Sequence, residues 1–406
     1  MSDTIAVIGA GQAGGWAART LRDQGFSGRL LLIGNERHPP YERPPLSKGI
    51  LRGTPAEATV IFDQPALQKL DIEWLPSVSC LSIERAQRTA MLSDGQQIRY
   101  DKLILCTGGR ARRLAIPGAE LPGVLALRNL DDAQAIADRL EPGKRLVAIG
   151  GGWIGLEVAA TARTKGLDVT VVEAQPRICA RTVPPVVSNH LQALHESHGT
   201  RLLAGRQVQR IAALPAGGLQ VLLDDGQQLP ADIVIVGVGL EPNDELARSA
   251  GLECRNGIVV DERCRTSDEH IFAAGDVTVS FNRWHGRPLR LESWQNAQDQ
   301  GIAAAKAALG QNVRYDPLPR FWSDQYDATI QILGDVESPS GQSVIREDPE
   351  SGQLIVFRVD GEQLMGAVGI NAAARLRDVR RILAQAVPVS AGMLQDPAFD
   401  LADIGR

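Results

Sequence analysis

Two glycine-rich strings are the first residues in this chain whose types and spacing suggest chemistry: Gly9-Ala-Gly11-Gln-Ala-Gly14 and Gly150-Gly-Gly152-Trp-Ile-Gly155. Each follows a run of branched apolar residues and precedes a helix-forming stretch, so each reads as a strand turning tightly into a helix. In such a turn the first glycine bends the chain, the second lets a pyrophosphate approach bare backbone, and the third lets helix pack on sheet. The helix N-terminus adds unpaired N–H groups and the positive end of its dipole. The chemistry implied is the binding of two dinucleotides. One string alone could be a tight turn with no ligand; two with the same flanks argue against that.

Nearby carboxylates bear on which nucleotides. After the second string, Val169-Thr-Val-Val172 ends in Glu173, placed to accept from a ribose hydroxyl and repel a 2′-phosphate, which favours NAD over NADP. Arg177 and Arg181 follow, and an arginine there could instead cradle that phosphate. After the first string the corresponding strand runs through Leu32, Ile33 and Gly34 into Asn35 and Glu36. Asn35 is an unusual residue for holding a ribose, and either it or Glu36 could take the role. Asp276, after Ile271-Phe-Ala-Ala-Gly275, offers a carboxylate to a ribityl hydroxyl and so suits a flavin, although a helix-capping Asp would look the same. A pyridine nucleotide and a flavin together imply hydride traffic between them.

The elements that must position these groups occur as a repeat. Strand Ile5–Ile8, the first string, a helix to about Arg22 and strand Arg29–Ile33 are matched by Arg145–Ile149, the second string, a helix to about Lys165 and Asp168–Val172. Each copy then shows an Asp-Gly hairpin signal, Asp94-Gly95 and Asp225-Gly226, and an apolar strand entering paired glycines. Those strands are Leu103–Cys106 before Gly108-Gly109 and Ile233–Val236 before Gly237-Val-Gly239. The expected fold is α/β, with two Rossmann-like dinucleotide-binding domains and a C-terminal α+β domain. The first nucleotide domain is placed at 1–111 with 241–320, the second at 112–240. The C-terminal domain, 321–406, reads as an antiparallel meander (Gln353–Val359, the Asp360-Gly361 turn, Gln363–Gly369) and a basic helix around Arg375–Ala386.

Composition narrows the class. The chain has 406 residues, a prior of two to three domains at roughly 150 each. With 43 Lys+Arg against 48 Asp+Glu it lacks the basic surplus of a nucleic-acid binder. Hydrophobic residues at 44% and charged residues at 22% exclude wholesale disorder. No apolar run reaches the ~18 residues of a membrane span, and the opening strand leaves no room for a secretory leader. Five cysteines with no C-x-x-C exclude a disulfide scaffold or a cysteine-rich metal site. A cytoplasmic, reducing environment is the expectation.

Further strings carry a resemblance: Tyr41-Glu-Arg43-Pro-Pro-Leu-Ser-Lys48, Thr107-Gly108-Gly109, Gly150–Glu157, Ile271–Val277, Glu292-Ser-Trp294-Gln-Asn-Ala-Gln and Phe321-Trp322-Ser-Asp-Gln325. Over essentially its whole length the chain resembles the FAD-dependent ferredoxin–NAD reductases of bacterial aromatic-ring dioxygenase systems. These are relatives of putidaredoxin and rubredoxin reductases and of apoptosis-inducing factor, with a glutathione-reductase-like fold. The resemblance implies FAD and NAD(H) as cofactors and Lys48 with Glu157 as the catalytic pair near the flavin N5. A Lys/carboxylate pair there can respond as the ring gains charge; a surface lysine and a helix-dipole carboxylate are the plainer alternatives. The resemblance further implies that Ala13, Val78, Arg128, Asp276 and Trp294 line the FAD, joined by Arg43, Thr107 and Gly108 from the quoted strings. Trp153 and Ile154 should lie near the NAD, Glu173 and Arg181 at its adenosine end, and Trp322 by the nicotinamide, with Gly239 in the same cofactor set. This sequence departs from relatives at Asn35, often acidic, and at Trp153, commonly a smaller aliphatic.

Disulfide reductases of this fold place a redox cysteine pair where this chain reads Tyr41 to Lys48, without cysteine. Electrons must then leave singly to an external carrier, for which the resemblance implies a 2Fe-2S ferredoxin and, beyond it, a terminal oxygenase. A cytochrome monooxygenase or rubredoxin-linked system is the alternative, and a non-catalytic NADH-binding flavoprotein a third. Arg375, Arg377, Arg380 and Arg381, with Arg110, Arg112 and Arg113, are the expected docking contacts for an acidic partner, unless they form only a solvated face. Cys80 and Cys106 read as core residues.

Overall fold

The computed structural model describes residues 3–55, 59–348 and 350–405. They gather into two compact units. One falls within Met1–Pro44, Pro55–Arg110 and Glu241–Pro317; the other within Pro45–Thr54, Ala111–Leu240 and Leu318–Arg406.

In the first unit a parallel sheet takes the order Ile271–Ala273, Lys102–Leu105, Thr4–Ile8, Arg29–Ile33, Glu73–Leu75. A sheet covered on both faces needs apolar side chains on both, and the alternating residues of Thr4–Ile8 and Arg29–Ile33 supply them. Ile5, Val7, Leu30 and Leu32 pack with Ala17, Ala18 and Leu21 of helix Gln12–Asp23. Ala6, Ile8, Leu31 and Ile33 join a second core with Ile83, Ala90, Leu92 and Ile98. Those last residues belong to an antiparallel meander, Cys80–Glu84, Thr89–Leu92 and Gln97–Arg99, with Gly95 at φ +86° in its Asp-Gly turn.

The second unit repeats the plan. Its parallel sheet runs Arg201–Ala204, Asp168–Glu173, Arg145–Ile149, Ile233–Val236, Val124–Ala126. Helix Trp153–Thr164 takes the place of Gln12–Asp23, and the meander Val208–Ala213, Leu219–Leu223, Gln228–Ala231 carries Gly226 at φ +84°. The repeat read from the glycine strings is therefore a repeat of sheet order and turn geometry.

Also in this unit, a five-stranded antiparallel sheet takes the order Arg320–Gln325, Ala328–Gly334, Gln363–Ile370, Gln353–Asp360, Gln342–Asp348. Helix Ala373–Gln385 buries Leu376, Val379, Ile382 and Leu383. Segment Pro45–Thr54 is fastened to helix Trp153–Thr164 and the residue that follows it. Thr161 Oγ1 donates to the Ser47 carbonyl at 2.9 Å, and Lys165 Nζ donates to the Leu51 carbonyl at 3.1 Å. Among the described residues no helix is long and apolar enough to cross a membrane.

Candidate functional site

The glycines of the first string differ in why they lack a side chain. Gly9 sits at φ +109°, where a Cβ would lie 2.1 Å from the Cys106 carbonyl oxygen, and a Cβ on Gly14 would lie 1.7 Å from the Gly9 oxygen. The fold itself requires both. Gly11 has φ −84°, which any residue adopts, and a Cβ there would meet only Arg43 Nη2, at 3.7 Å. Nothing in the protein's packing forbids a side chain at Gly11, and its absence leaves bare backbone that a pyrophosphate could approach. The helix it begins has no side-chain N-cap and no acidic residue in its first turn, so its N-terminal N–H groups and dipole are available to an anion.

The second string repeats this distinction. Gly150, at φ +107°, would press a Cβ to 2.4 Å from the Gly237 oxygen, and Gly155 would place one 2.0 Å from the Gly150 oxygen. Gly152, at φ −85°, has nothing within 4 Å of its Cβ position, and its helix too begins uncapped. Both cradles fit a dinucleotide pyrophosphate.

Around the first cradle the structure brings together Arg43, Glu36 and Tyr41. Arg43 Nη2 meets Glu36 Oε1 at 2.7 Å, and the Tyr41 hydroxyl donates to Glu36 Oε2 at 2.5 Å. Burial pulls the Arg43 guanidinium down, but Tyr41, Glu36 and Asp276 outweigh it and raise it. Asn35 is exposed beside them. Ala13 is buried against Gly275 and against Gly301 of helix Trp294–Ala308, where a Cβ on Gly301 would lie 2.4 Å from the Ala13 oxygen. Trp294 begins that helix. With the Gln12 amide oxygen turned toward the indoles, it accepts from Trp294 Nε1 at 3.0 Å and Trp16 Nε1 at 3.3 Å. Thr107 Oγ1 donates to the Asn243 carbonyl at 2.7 Å and Asn243 Nδ2 to the Thr107 carbonyl at 2.9 Å, while Gly108 holds φ +63°. Val78 N–H bonds the Gly34 carbonyl at 2.9 Å. Tyr41, Gln12 and Asn243 were not assigned roles from sequence; the fold alone brings Gln12 to Trp294 and Asn243 to Thr107.

At the second cradle Glu173 Oε2 accepts from Gly151 N–H at 2.7 Å and Oε1 from Gln175 N–H at 2.7 Å. Arg177 is committed elsewhere, to the Val183 and Ala180 carbonyls and Ser188 Oγ. Arg181 is exposed, and its Nη2, like Arg112 Nε, lies 4.0 Å from the Cβ position of Gly239. Arg128 is half-buried near helix Leu130–Ala137, its N–H on Asp132 Oδ2 at 3.0 Å. Trp153 starts its helix with its ring 5.1 Å from Phe321, Ile154 is 43% exposed, and Trp322 is half-buried on the strand face opposite Phe321.

Lys48 and Glu157 meet. Lys48 Nζ lies 2.7 Å from Glu157 Oε2, their side chains 14% and 5% exposed. Ser47 Oγ also donates to Oε2, and Ser323 Oγ donates to Oε1 at 2.6 Å. Glu157 lies beyond the first turn of a helix that begins at Trp153, where the dipole effect has faded, and Lys48 is no surface lysine. A buried carboxylate that accepts from hydroxyls and faces an ammonium presents a fixed charge pair.

The cysteines are chemically quiet. Burial pushes the Cys106 and Cys179 thiols up to about 12 and Cys80 up to about 11. Cys106 is a core residue; Cys80, half-buried, is less enclosed than the sequence suggested. The basic surface is also narrower. Arg110 pairs with Glu241 at 3.1 Å and Glu245 at 2.5 Å, Arg375 with Asp400 at 2.9 Å, and Arg381 binds the carbonyls of Leu401, Ala402 and Ile404. Arg112, Arg113, Arg377 and Arg380 are exposed.

Comparison with known proteins agrees with this geometry. Residues 3–301 match the pyridine nucleotide-disulphide oxidoreductase family and residues 320–405 the reductase C-terminal family. The chain is 40% identical to the biphenyl dioxygenase system ferredoxin–NAD(+) reductase component of Paraburkholderia xenovorans (strain LB400), covering 100% of this chain and 98% of the relative. It is also 40% identical to rhodocoxin reductase of Rhodococcus erythropolis, covering 98% and 93%. The solved ferredoxin reductase for the CYP199A2 system from Rhodopseudomonas palustris superposes with a TM-score of 0.94 at 41% identity, covering 98% of each chain. Putidaredoxin reductase in its covalent complex with putidaredoxin gives 0.93 at 34%, covering 98% and 97%. With both cradles built for nucleotides and relatives matched end to end, the chain belongs to the pyridine nucleotide-disulphide oxidoreductase family, among its ferredoxin–NAD(+) reductase members.

Proposed function

We propose that this protein is an NADH:ferredoxin oxidoreductase, its acceptor a 2Fe-2S ferredoxin that supplies a ring-hydroxylating dioxygenase. The observation that carries the reading is the pair of middle glycines, Gly11 and Gly152, which leave bare, uncrowded backbone at two uncapped helix N-termini where a pyrophosphate fits. The nucleotide domains are taken as 1–111 with 241–320 for FAD and 112–240 for NAD, with 321–406 as the C-terminal domain. Bound FAD supplies a ring that accepts hydride from NADH and releases electrons one at a time.

The chain's own residues bind, orient and hold charge. Gly9, Gly11 and Gly14 leave the first pyrophosphate to the N–H groups of helix Gln12–Asp23, with the Arg43 guanidinium alongside. Asn35 or Glu36 holds the FAD ribose, and Thr107, Gly108, Val78, Ala13, Asp276, Trp294 and Arg128 line the rest. Glu173 receives the NAD ribose hydroxyls and Arg181 the adenosine end, with Gly150, Gly152, Gly155, Trp153, Ile154, Gly239 and Trp322 completing that set. Lys48 and Glu157 are assigned as the catalytic pair, an ammonium fixed by a carboxylate that three donors hold in place. Thiols pushed far above neutrality leave no thiolate to intercept the electrons.

A second reading has a specific observation behind it: two of the relatives above, the CYP199A2-system reductase and rhodocoxin reductase, are not named for dioxygenase systems. In that reading the ferredoxin serves a cytochrome monooxygenase. The test is an absorption spectrum before and after stoichiometric NADH, then NADPH, followed by NADH-driven cytochrome reduction with and without added ferredoxin. A yellow protein bleached by NADH, reducing cytochrome only with ferredoxin present, is expected. A colourless protein indifferent to NADH overturns the proposal.

A further inference from the structure

A chain of buried hydrogen bonds continues behind the Glu157 carboxylate. Ser323 and Gln325 share one face of strand Arg320–Gln325, since side chains two apart in a strand point the same way, and they are 0% and 1% exposed. Gln325 Nε2 donates to Ser323 Oγ at 3.0 Å, and Ser323 Oγ donates on to Glu157 Oε1 at 2.6 Å. Behind Gln325 stands His195 of helix Pro185–Ser197, 0% exposed, with Nε2 2.8 Å from Gln325 Oε1.

The chemistry of the amide fixes the direction of the whole chain. An amide donates only from nitrogen and accepts only at oxygen. With Gln325 Nε2 engaged by Ser323, its oxygen must accept, so His195 must carry its proton on Nε2. The bare nitrogen is then Nδ1, and Nδ1 is buried without a hydrogen-bond partner. A charged ring would put a second proton there with nothing to receive it, and burial pulls the His195 pKa down accordingly. The ring is wedged edge-on against Tyr326 at 5.2 Å, and Tyr326 is stacked on His198 at 3.8 Å.

Every donor in the chain therefore points at Glu157. If Gln325 were lost, the Ser323 hydroxyl could turn away and leave Oε1 without its donor. We propose that Gln325 and His195 are positioning residues that hold the Ser323 hydroxyl proton on Glu157, keeping its carboxylate oriented toward Lys48. The inference rests on the assignment of Lys48 and Glu157 as the catalytic pair.

Two measurements on the flavin-loaded protein test it. In the first, the His195 ring is followed by nitrogen-15 NMR in the parent protein; a neutral ring protonated on Nε2 is expected from about pH 6 to about pH 8. A ring protonated on Nδ1, or charged in that range, overturns the proposal. In the second, stopped-flow bleaching by saturating NADH is compared in Ser323→Ala, Gln325→Leu and the double variant. Each single change should slow bleaching about tenfold, the size of one lost hydrogen bond to a charged group, with the NADH half-saturation unchanged. The double variant should be no slower than Ser323→Ala, because Gln325 acts through Ser323. Losses that multiply, or a Gln325→Leu protein that melts earlier but bleaches at the parent rate, overturn it. Should Gln325→Leu fail to fold, Gln325→Glu keeps the shape and offers Ser323 a rival carboxylate; it should slow bleaching as well, and a parent rate there is equally fatal. A parent protein that NADH does not bleach fails the proposed function, whereas parent and variants bleaching alike fails only this inference.

Discussion

At the scale of single residues, Glu173 shows how the group proposed to set nucleotide specificity is held. Both its oxygens accept from backbone amides, of Gly151 and Gln175, so the carboxylate cannot swing aside for a 2′-phosphate. Glu173→Ala removes the repelling charge and frees those amides as donors. The preference for NADH over NADPH, measured as the ratio of kcat/KM values, should fall about tenfold, equivalent to about 1.4 kcal/mol. A variant that keeps the parent ratio refutes the role. Glu173 was legible because it ends a strand in a repeating pattern. The alternative partner Arg177 was not, because only the folded loop shows its guanidinium spent on the Val183 and Ala180 carbonyls. His195 gave no signal at all: its partner Gln325 lies in a distant strand.

At the scale of elements, the strand–glycine–helix unit could be read in sequence because each of its glycines answers a local demand. The structure separates those demands, and substitution should separate them too. Gly14→Ala drives a methyl into the Gly9 carbonyl, an overpacking that costs about 1–3 kcal/mol or more and should lower the melting temperature of the flavin-free protein. Gly11→Ala meets only the tip of Arg43, so the stability of the flavin-free protein should stay within about 0.5 kcal/mol of the parent while the purified protein loses most of its 450 nm absorbance. Equal flavin content in parent and Gly11→Ala would contradict the cradle. The attachment of Pro45–Thr54 to helix Trp153–Thr164 was not legible, since it depends on Thr161 and Lys165 reaching carbonyls far away in sequence. The Ser323–Gln325 face had no periodic signal either, because Ser323, Asp324 and Gln325 are polar in succession and only the strand's alternation sorts the buried pair from Asp324.

At the scale of the whole molecule, formal charge is −5, yet the arginines proposed for docking are unevenly available. Arg377 and Arg380, three apart on helix Ala373–Gln385, lie on one side of it and are exposed, as are Arg112 and Arg113. Encounter with an acidic ferredoxin should quicken at low salt and fade as screening shortens to about 8 Å near physiological ionic strength. Ferredoxin-dependent turnover at limiting ferredoxin should drop several-fold, roughly tenfold, between low and high salt, while bleaching by NADH alone holds steady. Turnover indifferent to salt would remove the basic docking surface from the account. The Glu157 carboxylate also has a history in time, for Ser47 and Lys48 leave the ribosome together and Ser323 long after them. A nascent chain that has already emitted both glycine strings still carries that oxygen pair half-clothed, with Oε1 waiting for a strand not yet made. Assembly of this charge centre is therefore a late event of biosynthesis, and a chain cut short before Arg320 would emerge with its cradles encoded and its carboxylate unfinished.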